Sequence, residues 1–260
     1  MGLFDHFRKE KQEQQQTENT ESERSNQPYL GDLQKTQLVF ELIGVPAGER
    51  NETWQRDFLE NIVQASFRCG EPQVVKGPDG FPYFQLLMPK PNERFQCYVI
   101  DRMKDDFLLK LGYGVVINPD KGQPDWVLTY GDILNLYLNG SFYTTEPTPF
   151  SRAVEDEMIE NEENVLVGQP SDQILPELTR AVLNKFLTNS GVKSPKVLLM
   201  CRTATDGTVS QDLVFNLTPD DFESEAHFRS VMQYLGWFLP RHYSFVAMAE
   251  KQFEDSFMPL

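Results

Sequence analysis

The sequence predicts an α+β protein, with two β-α-β-β-α-β type domains in tandem, the first extended by an extra strand and helix, behind a disordered N-terminal tail. Three observations lead there. In each half, two helical apolar patterns flank a pair of short β-type runs. An Asp-Gly turn separates those runs each time, at Asp79-Gly80 and at Asp206-Gly207. Between the halves runs "EDEMIENEE", Glu155 to Glu163, with six acids and no base, the composition of a solvated linker. The reading is a tail over 1–29, a first domain over 30–150, an acidic linker over 151–163 and a second domain over 164–260.

The tail comes first. From Arg8 to Gln27 the chain is Gln-, Glu-, Ser- and Thr-rich and cannot bury enough surface to offset its ordering entropy. Leu3, Phe4 and Phe7 precede it at helical spacing, on a segment short enough to fray. From Leu38, "LVFELIGVP" reads as a largely buried strand. In "NETWQRDFLENIVQASF", Trp54, Phe58, Leu59, Ile62 and Val63 share one face of a helix, with charges opposite. "PQVVKGPDGFPYFQLLMP" is a hairpin turning at Pro78-Asp79-Gly80, where Pro presets φ and Gly accepts a positive φ. Val99, Ile100, Met103, Phe107, Leu108 and Leu111 then recur with helical period up to Gly112. "YGVVINP" reads as a strand.

The second half repeats this order. "NVLVGQP" is a strand, and "LPELTRAVLNKFLTNSG" is a helix opening with Pro176 near its first turn and closing at Gly191. "KVLLMCRTATDGTVSQDLVFNL" is the second hairpin. "TPDDFESEAHFRSVMQYLGWFLP" is a helix that Thr218 can cap, with Pro219 and Asp221 in its first turn, and "HYSFVAM" is the closing strand. The order fits the split βαβ arrangement, or another α+β sandwich with the same succession of elements.

Composition narrows the function classes. With 260 residues, 40% hydrophobic and 24% charged, the chain has the balance of a globular protein able to bury a large core. No apolar run approaches the roughly 20 residues of a membrane span. "MGLFDHFRKEK" lacks a secretory h-region, and His6 stands where a myristoylation signal wants Ser or Thr. These features predict a cytoplasmic protein. Cys69, Cys97 and Cys201 are far apart, without a CxxC, so neither a disulfide framework nor a zinc site is indicated. Of the net charge of −15, residues 1–29 supply −2 (six acids, four bases) and residues 155–163 supply −6. The folded parts are therefore only mildly acidic, and without clustered Lys and Arg they disfavour nucleic acid as a partner.

The densest apolar and aromatic run is "PDWVLTYGDILNLYLNGSFY", Pro124 to Tyr143, the extension that the second half lacks. "DWVL" reads as a strand. Thr129 caps a helix with Asp132 three positions on, Ile133, Leu134, Tyr137 and Leu138 form its stripe, and Asn139-Gly140 ends it. An anion at that helix N-terminus would be repelled by Asp132. The functional alternative for the run is an aromatic partner patch of Trp126, Tyr130 and Tyr137. In "LPRHYSF", Arg241, His242 and Tyr243 stand together at a strand entrance and could receive an acidic group. Glu223 and His227, four apart, share a helix face, but two ligands do not make a zinc site. Cys201 falls on a strand as a small hydrophobe. No nucleophile elbow, P-loop or dinucleotide fingerprint occurs. The sequence thus offers no catalytic, metal or cofactor-binding residue and implies no cofactor.

From Val165, "VLVGQP", "PELTRAVLNKFL", "KVLLMC" and "DLVFNL", followed by a helix and a closing strand, resemble the C-terminal domain of the enhanced serine sensitivity protein (SseB) family over roughly the last ninety residues. That resemblance implies a small cytoplasmic bacterial protein without an established catalytic centre. The first half is similar in element order to the secretion-chaperone-like fold, whose members bind extended protein segments. The expectation is a non-catalytic binding or regulatory protein acting through protein-protein contacts. Its alternatives are a chaperone-like or immunity-type adaptor for one cognate protein, and an enzyme with a site near Arg241 and His242.

Overall fold

The computed structural model of the protein describes residues 30–150, 164–204, 206–253 and 256–260. The tail and the acidic linker expected from the sequence lie outside the described residues. The fold is α+β, with a four-stranded sheet in the first half and a five-stranded sheet in the second.

The first described element is a helix where a strand was expected. α1 (Leu33–Ile43) starts at Asp32, whose Oδ1 accepts the backbone N–H groups of Gln34 and Lys35 at 2.8 and 3.0 Å. The apolar run from Leu38 is too short to declare a period by itself. With its cap six residues upstream, Val39, Leu42 and Ile43 become the i, i+3, i+4 face that packs on the body, and Val39 is fully buried. α2 (Glu52–Ile62) is capped by Asn51 and buries Trp54, Phe58 and Ile62. The Trp54 indole N–H donates to the Leu42 carbonyl at 2.8 Å and ties the two helices together.

β1 (Arg68–Lys76) and β2 (Pro82–Leu87) form the first hairpin. Its turn has Gly80 at φ +88°, and Asp79 Oδ1 accepts the Phe81 N–H. α3 (residues 100–111) is α-helical at Ile100–Met103 and Leu109–Leu111 and passes through a π-helical segment, Lys104–Leu108. Gly112 ends it at φ +75°. β3 (Gly114–Ile117) returns parallel to β2, and β4 (Trp126–Leu128) pairs antiparallel with β3. In α4 (Tyr130–Asn139), Thr129 and Asp132 form a reciprocal capping box, and Gly140 is left-handed at the C-terminus.

In the second half β5 (Asn164–Gly168), α5 (Glu177–Asn189), the hairpin of β6 (Lys196–Thr203) and β7 (Val209–Phe215), α6 (Glu225–Phe238) and β8 (Phe245–Ala247) follow in the expected order. α6 starts later than expected. The box of Thr218 and Asp221 closes only the 3-10 turn Pro219–Asp221, because Phe222 is extended (φ −122°, ψ 157°). The helix begins after Ser224, whose Oγ accepts the His227 N–H. β9 (Met258–Pro259), not foreseen, pairs with β6 on the edge that β5 also occupies.

The halves share one unit. α2-β1-β2-α3-β3 and α5-β6-β7-α6-β8 are both α-β-β-α-β, with a hairpin followed by a strand parallel to its second member. They differ in the added strand, β4 beside β3 in one and β5 beside β6 in the other. Strands therefore adjoin in chain order, and neither sheet has the split βαβ order. A single apolar core runs through both halves, from Phe58, Tyr83 and Leu134 to Leu183, Leu235 and Trp237. A smaller one, Leu198, Met200, Val214 and Phe257, lies apart from it in the second half.

Candidate functional site

Tyr130-Gly131-Asp132 lies where the halves meet. Tyr130 is fully buried; its hydroxyl donates to the Leu109 carbonyl at 3.2 Å and lies 3.1 Å from Thr179 Oγ1 of α5. Burial pushes its phenol pKa up, so it stays neutral. Gly131 faces the main chain of Leu239: a Cβ there would stand 2.0 Å from the Leu239 carbonyl oxygen. Asp132, also fully buried, accepts the Thr129 N–H and a bidentate pair from Arg241, with Nε at 2.7 Å and an Nη at 2.9 Å. Three consecutive residues thus bond α4 to α5 and to the chain after α6. Close by, Trp237 stacks on Phe81 at 4.2 Å, and its indole N–H donates to the Tyr83 hydroxyl at 2.7 Å. Tyr83 in turn donates to Asp79, so the first hairpin turn joins the same network.

The expected aromatic patch is not a surface patch. Tyr130 is interior, since its ring is needed between α4 and α6, where it approaches Trp237 and Phe238. Trp126 is partly buried against Trp54 and Phe58, and Tyr137 alone of the three is exposed. Arg241, His242 and Tyr243 do lie together, but with different jobs. Arg241 spans Asp132 and the face of Tyr143, 4.3 Å from its ring centre, and the carboxylate beside it raises its pKa further. His242 meets Phe150 and Tyr243 edge-on, and burial lowers its pKa below the usual imidazole value. The Tyr243 hydroxyl donates to the Ile174 carbonyl, and burial pushes its pKa up to about 12. This trio clasps the segment leaving α4 onto the second sheet, where the Pro149 carbonyl also accepts the Gln211 N–H.

Glu223 and His227 gather no further ligand. Among the described residues no group of three or more His, Cys, Asp or Glu stands close enough to hold a metal. Cys201 is half-buried beside Gln211. Two grooves flank α2. A wide one of about 1090 Å³ runs between α2 and the loop after α4, lined with both signs of charge, Lys35, Glu52, Arg56 and Glu60 among them. A narrower one of about 390 Å³ lies between α1 and α2. On α1 itself, Leu33 and Phe40 are 75% and 54% exposed, and Leu30 just before it is 64% exposed. The sequence reading missed this face because it began the element at Leu38; Leu33 and Phe40, seven apart, were the signal available. No helix among the described residues is long and apolar enough to cross a membrane.

Compared with protein-family models, curated proteins and solved structures, the chain has no significant match.

Proposed function

We propose that this is a non-catalytic binding protein that engages another protein through the outward face of α1. The carrying observation is the concentration of large exposed apolar side chains there, Leu30, Leu33 and Phe40 within eleven residues. Leaving such a patch in water is unfavourable by about 25 cal/mol per Å² of apolar surface, and a partner that covers it recovers that free energy. The reading agrees with the use of Asp132, Arg241, Tyr130 and Tyr243 in bonds that hold the chain together. A cytoplasmic setting belongs to the same proposal.

The test compares affinity capture by the full chain with capture by L33D/F40D, in lysate of the source cell. Both positions are exposed, so circular dichroism of the variant should match the parent. One protein captured in stoichiometric amount by the parent and lost with the double substitution is the expected result. The same species captured by both, or none by either, would overturn the proposal.

A further inference from the structure

The groove between α1 and α2 has a different character from the α1 face just described. Leu38, Leu42 and Val45 give it an apolar floor from α1 and the turn that follows, while Glu41 and Asp57 stand at its rim with Asn61. Glu41 accepts a bond from Gln37, and Asp57 pairs with its neighbour Arg56, both on exposed surface. Such a groove suits a short segment that is apolar on one side and carries cations at one end.

One segment of that chemistry belongs to the chain. Before Pro28 the only large apolar residues are Met1, Leu3, Phe4 and Phe7, and Arg8, Lys9, Glu10 and Lys11 follow at once, three bases and one acid for a net charge of +2. The 29 residues outside the described body end at Tyr29, three positions before the Asp32 cap of α1. Residues 12–29 are almost entirely polar, and a chain of that length can reach at most about 60 Å. α1, with 11 residues, is about 17 Å long at 1.5 Å per residue. Residues 12–29 can therefore reach any point of the groove, and they hold the segment at an effective concentration on the order of millimolar.

We propose that residues 3–11 of the same chain occupy the groove between α1 and α2, with Phe4 and Phe7 on Leu38, Leu42 and Val45, and with Arg8, Lys9 and Lys11 facing Glu41 and Asp57. The groove is then self-occupied, and an outside protein with a similar amphipathic basic segment has to displace the chain's own.

The test uses full-length protein throughout. A fluorescein-labelled peptide of residues 1–12 is titrated with the parent, with F4D/F7D, and with F4D/F7D/L38D, and followed by fluorescence anisotropy. The peptide should bind F4D/F7D about tenfold or more tightly than the parent, whose groove is already filled. Adding L38D, at a half-exposed position, should remove that binding. No binding to F4D/F7D, equal binding to parent and F4D/F7D, or binding that survives L38D would each overturn the proposal. Sedimentation of the parent supplies a second check: a monomer is expected, whereas a dimer dissociated by L38D would give the groove to a second copy instead. These substitutions leave Leu33 and Phe40 intact, so this outcome is read separately from that of the α1 face.

Discussion

Gly131, in the first turn of α4, and Gly140, just past its end, make opposite demands on it. Gly140 sits at φ +73° with nothing within 4 Å of an added Cβ, so G140A should cost about 1 kcal/mol, for the left-handed backbone alone. At Gly131 an added Cβ meets main-chain atoms of Leu239, which no rotamer change can move, and G131A should cost about 3 kcal/mol or more. Urea titrations of both variants check the contrast. Arg241 poses a second residue-scale question, because Asp132 has no access to water. The Arg241 side chain is itself 58% exposed, so shortening it to an apolar chain unpairs the carboxylate and also lets water reach it; R241M should lose about 1–3 kcal/mol, and D132N/R241M should be more stable than R241M. His242 makes stability depend on pH. Its folded-state pKa lies below the unfolded value, so the unfolded chain binds the proton first. Stability should be flat above about pH 6.5 and fall as pH drops below it. H242F should flatten that part of the profile; an unchanged slope would remove His242 from the account.

At the scale of elements, what was legible followed from how local each signal is. The Asp-Gly hairpin turns, the Thr129 and Asp132 box and the Gly112 stop each need only a few adjacent residues, and all are where the sequence puts them. α1 was misread because its start signal, Asp32, lies outside the apolar run that drew attention. α6 was misplaced at its start because Thr218-Pro219 carries an N-terminal signature that a 3-10 turn can satisfy as well as a helix. The joint was not legible at all: Asp132 and Arg241 are 109 residues apart, and nothing near either one announces the other. Arg241, His242 and Tyr243, expected as a trio at a strand entrance, make separate bonds to Asp132, Phe150 and Ile174 that no local signal announces, and the exposed side of α1 went unread with the helix that carries it. A helix reading of α1 has its own test. D32A should cost about 1 kcal/mol and speed amide exchange over residues 33–36, the first turn that the cap serves. A strand reading assigns Asp32 no such part.

Across the whole molecule, two α-β-β-α-β units are joined through α4, α5 and α6 rather than left as beads on a linker. Most contacts between them are of interior quality, a stacked Phe81 and Trp237, a buried hydrogen bond from Trp237 to Tyr83 and a backbone approach at Gly131, and a bidentate ion pair from the surface-exposed Arg241 to the buried Asp132 covers the joint. Bonds of that kind make one half costly to open while the other stays folded, because the opened surface would expose Tyr130, Trp237 and Leu239 together. At this scale Tyr130, Gly131 and Asp132 fasten the halves to each other. The most direct measurement is pulsed hydrogen exchange with mass spectrometry across a urea series, reading β2–β3 peptides for the first half and β6–β7 peptides for the second. Coincident midpoints, moved together to lower urea by R241M, are the predicted result. Midpoints that separate in the parent, or a shift confined to one half in R241M, would contradict it.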